Sequence, residues 1–352
     1  MSNTENPTPT APVVAKNRVG LARTDYAGAP STLCTGCGHD SITNHITSAL
    51  FQSGINPYDL GKMSGIGCSS KTPAYFSSRS FAFNSVHGRM PAVSTGVKLG
   101  NRKLKLIGVS GDGDTGSIGI GPFMHLVRRN LPLVYVIENN GVYGLTKGQF
   151  SATSEKGAKL KSGTANSFEH VDLCALAIQL GCDFVARSFS GDAKQLVPLI
   201  EAAFQHNGTA IIDVVSPCVT FNNHEGSTKS YDVIRDHNIK LQELGFIHGA
   251  EDIKVDYKEG ETQEVNLPDG SILTLKKLAQ HEHDIHDRMA SLKLLNEYQG
   301  KGKTLTGLFY VNAKSSSLVD NIDLPATPLA QLTEKELRPG QDVMDKILKN
   351  FR

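Results

Sequence analysis

Two short stretches of the chain carry residue types at spacings that can do chemistry. The first is "GDGDTGSIG", residues 111–119. Gly111, Gly113 and Gly116 satisfy G-x-G-x-x-G, and the preceding "LKLIGVS" reads as a strand, so a nicotinamide or flavin site is one reading. Glu138, ending the next apolar run "LPLVYVIE", stands where a ribose-binding acid is wanted. Asp112 opposes that reading. With Asp114 two residues on, it would face a pyrophosphate with like charge. A divalent cation removes the objection by bridging carboxylate and phosphate oxygens. The second run ends in "ENN", and the 25 residues between Gly113 and Asn139 hold one helix and one strand. The chain thus returns to a neighbouring strand end, the usual ligand crevice of an open α/β sheet. Asp112 and Asn140 are then placed to hold one metal ion between them.

The second stretch is "CTGCGHD", residues 34–40. Alone, a C-x-x-C pair suits zinc, iron–sulfur or redox chemistry equally well. Thioredoxin-like chemistry is disfavoured, because "AGAPSTLCTG" is no strand. A four-cysteine site needs two more thiolates. Cys68 in "GIGCSS" and Cys218 in "VVSPCVTFN" are loop cysteines free to converge on the pair, whereas Cys174 and Cys182 fall on an apolar helix face and the turn after it and are expected to be buried. Zinc at Cys34, Cys37, Cys68 and Cys218, stapling a non-enzymatic protein, remains open on spacing alone.

G-D-G, about 25 residues, then N-N resembles the thiamine diphosphate motif. The wider series "CTGCGH", "GIGCSSKTPAYF", "SVHGR", "GDGD…NN…YGLTKGQ" and "SPCVTFN" resembles the β subunits of the 2-oxoacid:ferredoxin oxidoreductases, over residues 30–225 and more weakly 287–312. Two departures stand out: "CTGC" replaces the commoner "CPGC", and Ser85 competes with His87 for a place at the cofactor. The resemblance implies thiamine diphosphate held through Mg²⁺, with Asp112, Asn140 and the carbonyl of Val142 as metal ligands. It implies a cofactor lining of Ile66, Gly67, Cys68, Ser69, His87, Gly113, Asp114, Gly144 and Leu145. It also implies one 4Fe–4S cluster on Cys34, Cys37, Cys68 and Cys218. Lys71 is implied to meet the distal carboxylate of 2-oxoglutarate, with Leu145 shaping the pocket wall. The implied reaction converts 2-oxoglutarate, or pyruvate or another 2-oxoacid, with coenzyme A and oxidised ferredoxin into acyl-CoA, CO₂ and reduced ferredoxin. No catalytic residue is assigned to this chain. The activating glutamate is expected from an α subunit, in an αβ assembly doubled to α2β2.

These residues need a scaffold, and the patterning supplies one. Helix-like segments at 40–54, 87–103, 116–130, 170–181 and 192–205 alternate with apolar, β-branched runs at 104–110, 131–139, 183–188 and 209–216. Such alternation predicts an α/β fold, a parallel sheet with helices on both faces. Residues 62–76 read as a Gly/Ser loop. Beyond residue 220 the texture changes: a helix over 231–245, two or three strands around a "PDG" turn, a helix near 287–302, a strand at 304–312 and a Pro-punctuated tail with a short final helix. The organisation expected is an arm (1–20, flexible or extended), a cofactor domain (21–220) and a C-terminal extension (221–352) suited to subunit contact.

Charge and composition close off other classes. The net charge of +1 gives no electrostatic case for nucleic acid. No apolar run approaches a membrane span, and the N-terminus lacks the apolar core of a secretory signal, so a cytoplasmic location is expected. "HEHDIHD" (281–287) reads as a solvated turn, because its histidines fit one helix face poorly.

Overall fold

The computed structural model describes residues 15–159, 163–219, 253–267 and 272–351. Its strands are β1 (Leu60–Ser64), β2 (Phe81–Asn84), β3 (Lys105–Gly111), β4 (Leu133–Asn139), β5 (Val142–Tyr143), β6 (Gln149–Phe150), β7 (Phe184–Phe189), β8 (Thr209–Val215), β9 (Thr262–Asn266), β10 (Ile272–Lys277) and β11 (Thr304–Val311). The longer helices packed around them are α1 (Gly38–Gln52), α2 (Met90–Gly100), α3 (Ile120–Arg129), α4 (Leu173–Gln179), α5 (Ala193–Gln205) and α6 (Arg288–Tyr298).

Nine strands form one sheet in the order β2-β1-β3-β4-β8-β7-β11-β10-β9, and β5 pairs with β6 as a separate hairpin. From β2 to β7 every pairing is parallel. β11 then runs antiparallel to β7. Part of the C-terminal extension therefore continues the same sheet.

The period-2 alternation of a two-face-buried strand is plain in β4. Val134 and Val136 enter one core with Ile42, Ile46 and Leu50 of α1 and Ile200 of α5. Tyr135 and Ile137 enter the other with Phe123 and Leu126 of α3 and Ile178 of α4. The expected α/β architecture is the one found.

Residues 62–76 depart from expectation. β1 is buried along its length, and a 3-10 helix spans Cys68–Ala74. Lys62, at the centre of β1, hides the strand in the sequence. It is 2% exposed, and its ammonium donates to the carbonyls of Pro73 (2.7 Å), Phe76 (2.7 Å) and Ser77 (2.9 Å). The helix expected from residue 116 is preceded by a π-helical turn, Asp114–Ile118, a form that recurs at functional sites. The helix expected over 231–245 and the "PDG" turn lie outside the described residues. Among the described residues no helix is long and apolar enough to cross a membrane.

Candidate functional site

β3 and β4 are neighbours, with Gly111 in register with Glu138, so Asp112 and Asn140 emerge side by side where the strands end. Asp112 is 1% exposed. Its Oδ1 accepts one long bond from the Asn140 amide (3.3 Å). Its Oδ2 accepts from the hydroxyls of Ser151 and Thr153, the latter at 2.5 Å. Burial raises the carboxyl pKa, and those hydroxyls oppose the rise. Asn140 turns its side-chain oxygen back to the amide of Val142 (3.1 Å), an Asx turn that starts the β5–β6 hairpin. A carboxylate and an amide oxygen thus stand together at adjacent strand ends, hard oxygen donors of the kind Mg²⁺ takes.

Asp114 ties three loops together. Its carboxylate accepts from Ser110 Oγ (2.8 Å), the Ile66 amide (3.3 Å) and the Gly88 amide (2.7 Å). Gly65 permits this, since a Cβ there would overlap Ser110 Oγ and Asp114 Oδ2. Of the two competing loop residues, Ser85 is buried and donates to the Ser64 carbonyl (2.8 Å), whereas His87 is exposed beside Gly88. The Tyr143 hydroxyl donates to the Gly113 carbonyl (2.9 Å). A cavity of about 590 Å³ opens beside Asn139, Asn140, Val142 and Thr153, with Arg187 and Asp213 also in its wall.

The cysteines approach the same corner from three directions. Gly144 places them: the sulfurs of Cys68 and Cys218 each lie 3.6 Å from where its Cβ would be. Burial first, then the nearby Cys218 and Cys34, push the Cys68 thiol up to about 11. Burial also raises Cys37, and Glu138 and Cys218 add to it. Cys218 and Cys34 thus act on Cys68, and Cys218 on Cys37. Gly38 lets the pair sit there, because a Cβ would meet Ser216 Oγ (2.6 Å) and Ser190 Oγ (2.7 Å) past the ends of β8 and β7. Cys174 and Cys182 are buried, their sulfurs against backbone carbonyls. Among the described residues no three His, Cys, Asp or Glu side chains meet in a geometry that holds a metal ion.

Glu138 is not available to a ribose. It is fully buried and accepts from Thr72 Oγ1 at 3.0 and 3.1 Å. His39 Nε2 lies 3.7 Å away, and its Nδ1 is 2.6 Å from Ser216 Oγ. Burial drives this pair towards neutrality, raising the Glu138 carboxyl and lowering the imidazole to about 4.

Lys71 sits in the 3-10 helix of Cys68, where its charge acts on that thiol. Leu145 is 55% exposed at the tip of the β5–β6 hairpin. His283 Nε2 and His286 Nδ1 bond the carbonyls of Phe309 and Val311 before α6. Sequence reasoning missed Ser151, Thr153, Ser110 and Lys62. Hydroxyl residues in a loop have no diagnostic spacing, and a lone lysine in an apolar run argues against burial.

Residues 65–214 match the family described as "Thiamine pyrophosphate enzyme, C-terminal TPP binding domain". A 2-oxoacid:ferredoxin oxidoreductase subunit beta from Sulfolobus is 44% identical over 191 residues, covering 54% of this chain and 63% of that protein. The 2-oxoglutarate synthase subunit KorB of Methanocaldococcus jannaschii is 38% identical over 208 residues, 58% of this chain and 76% of the relative. A solved 2-oxoglutarate:ferredoxin oxidoreductase from Magnetococcus marinus, with 2-oxoglutarate, coenzyme A and succinyl-CoA bound, superposes with a TM-score of 0.71 at 28% identity. That likeness covers 97% of this chain and 100% of the other. The chain spans 60–65% of the length of three curated relatives from Sulfolobus, Aeropyrum pernix and Saccharolobus solfataricus.

Proposed function

Because the chain belongs to the β subunits of the 2-oxoacid:ferredoxin oxidoreductases, we propose that it carries the diphosphate-binding half of an enzyme that decarboxylates 2-oxoacids oxidatively. The reaction is 2-oxoglutarate with coenzyme A and oxidised ferredoxin giving succinyl-CoA, CO₂ and reduced ferredoxin, or the reverse. The observation that carries this is the pairing of Asp112 with Asn140 and Val142 at adjacent strand ends, beside the packing of Cys68 and Cys218 on Gly144.

When bound, thiamine diphosphate would supply an electron sink for the 2-keto carbon, and an iron–sulfur cluster would provide a one-electron carrier. Asp112, Asn140 and the Val142 carbonyl would hold Mg²⁺. Gly113, Gly144, Leu145, Ile66, Gly67, Cys68, Ser69 and His87 line the cofactor, with Asp114 fastening the loops of Ile66 and Gly88 around it. Cys34, Cys37, Cys68 and Cys218 hold the 4Fe–4S cluster. Lys71 receives the distal carboxylate of the substrate in a charge-assisted pair. The aminopyrimidine face, the activating glutamate and coenzyme A recognition come from an α subunit, which meets this chain along its extension, residues 221–352, in a cytoplasmic α2β2 assembly. The Glu138 burial disfavours the nicotinamide or flavin reading.

Elemental and thiamine analysis of protein purified without air tests this. Iron, sulfide, magnesium and thiamine diphosphate are expected, with visible absorbance bleached by dithionite. Asp112→Ala is expected to lose thiamine diphosphate and Cys218→Ser the visible absorbance. Zinc in place of iron, with no thiamine, refutes the reading and leaves a zinc-stapled protein.

A further inference from the structure

We propose that the tetrapeptide "SATS", Ser151–Ser154, is a hydroxyl clamp that sets the gap between Asp112 and the turn carrying Asn140, and thereby selects the size of the cation held there. Thr153 is its chief positioning residue. The proposal rests on the reading that Asp112, Asn140 and Val142 hold a divalent cation.

One short segment grips both sides of the gap. On the Asp112 side, Ser151 Oγ and Thr153 Oγ1 both bond Oδ2. On the other, Thr153 Oγ1 shares its proton with Asn139 Oδ1 (3.1 Å), and Ser154 Oγ donates to the Gly141 carbonyl, which Ser151 N also reaches at 3.3 Å. Asn139 and Gly141 bracket Asn140 in the chain, so the clamp holds the ligand from both neighbours. The two hydroxyls occupy Oδ2, so Oδ1, which takes the long bond from the Asn140 amide, is the oxygen left for a cation.

The clamp is itself anchored. The Ala152 amide donates to Ser117 Oγ (3.1 Å), and its carbonyl accepts from the Val171 amide (2.7 Å). Asn139 Nδ2 donates to Asp213 Oδ1 (3.0 Å), and Asp213 is paired with the buried Arg187 (2.8 Å), which also holds Asp172 (2.8 Å). The clamp is thus tied to the π-helical turn and to the segment before α4, and the Asn139 side to the sheet. Mg²⁺ asks for short, near-octahedral contacts and Ca²⁺ accepts longer, looser ones, so a rigid gap discriminates between them.

The test uses the full chain in the assembly from which it is purified, with thiamine diphosphate present. Mn²⁺ binding is read by loss of the free-ion paramagnetic resonance signal, then Mg²⁺ and Ca²⁺ are titrated in competition. Thr153→Val, which keeps the shape, is expected to weaken Mg²⁺ by about 10–100-fold and Ca²⁺ by much less. Thr153→Ser is expected to restore the native preference. Ser151→Ala, which removes the other donor, should move selectivity the same way and stands in if Thr153→Val does not fold. Native Mg²⁺ affinity in Thr153→Val, or equal losses for both ions that Thr153→Ser does not restore, overturns the clamp. Wild-type protein that takes up no Mn²⁺ overturns the underlying metal assignment instead, and the clamp with it.

Discussion

Replacing Lys62 by Met removes an ammonium while keeping a side chain of similar length. Three buried carbonyls, those of Pro73, Phe76 and Ser77, then lose donors at 2.7–2.9 Å. A bond to a charged group contributes about 1.5–3 kcal/mol net, and each orphaned buried acceptor costs about 1–3 kcal/mol. The three share one donor and are not additive, so the expected loss is about 4 kcal/mol, among the larger effects of a single substitution. Urea denaturation reads this as a fall in midpoint of about 1.5 M at a slope of about 2–3 kcal/mol/M. The pH dependence carries a second signature. Burial lowers the folded-state pKa of Lys62 to about 8, against about 10.4 in an unfolded chain. Between those values the unfolded chain keeps a proton that the folded chain has released, so the Lys62 contribution to stability rises with pH and is smallest below the folded pKa. The gap between native and Lys62→Met protein should therefore widen from about pH 8 to about pH 9.5, by up to about 1.4 kcal/mol per unit. A loss below about 1 kcal/mol at neutral pH, or a gap that narrows over that interval, refutes the reasoning.

Gly65→Ala pushes a methyl group into Ser110 Oγ and Asp114 Oδ2. It should cost about 1–3 kcal/mol and lower thiamine diphosphate affinity, read by equilibrium dialysis; native affinity would show that Asp114 need not hold its loops. Arg187→Met leaves Asp172 and Asp213 without their cation. A loss of about 3–5 kcal/mol in urea denaturation is expected, partly recovered when Asp213→Asn is added; no recovery argues that packing of Arg187 on Phe309, rather than charge, is what was lost. Lys71→Ala should depress turnover of 2-oxoglutarate far more than of pyruvate, and an unchanged ratio of the two kcat/KM values removes the distal-carboxylate assignment.

The central sheet was legible because β3, β4, β7 and β8 are apolar and β-branched and alternate with helices. β1 was not. "LGKMS" carries a lysine whose burial depends on carbonyls up to 15 residues further along, which no local pattern reports. β2 escaped for the opposite reason: it is an edge strand whose four residues are all exposed, so nothing on it alternates. At the site, Asp112 and Asn140 stood out because acid, amide and spacing agree. Glu138 looked like a ligand for a ribose, and only its fully buried place against Thr72 and His39 shows otherwise. Ser151 and Thr153 became meaningful only once the loop after β6 was seen folded back onto Asp112.

The meeting of Cys68 and Cys218 on Gly144 has a bearing on the order in which the protein matures. Seven strands, β2 to β8, lie between the two thiols in the chain. Closing so long a segment is entropically slow, and contacts of this separation form late. The two sulfurs become neighbours only after β8 has docked on β4 and carried the end of the domain back to its beginning. If the two thiols share a prosthetic group as proposed, it is a late arrival, admitted once the parallel part of the sheet is complete, and seating it would fasten the loop after β1 to the loop after β8.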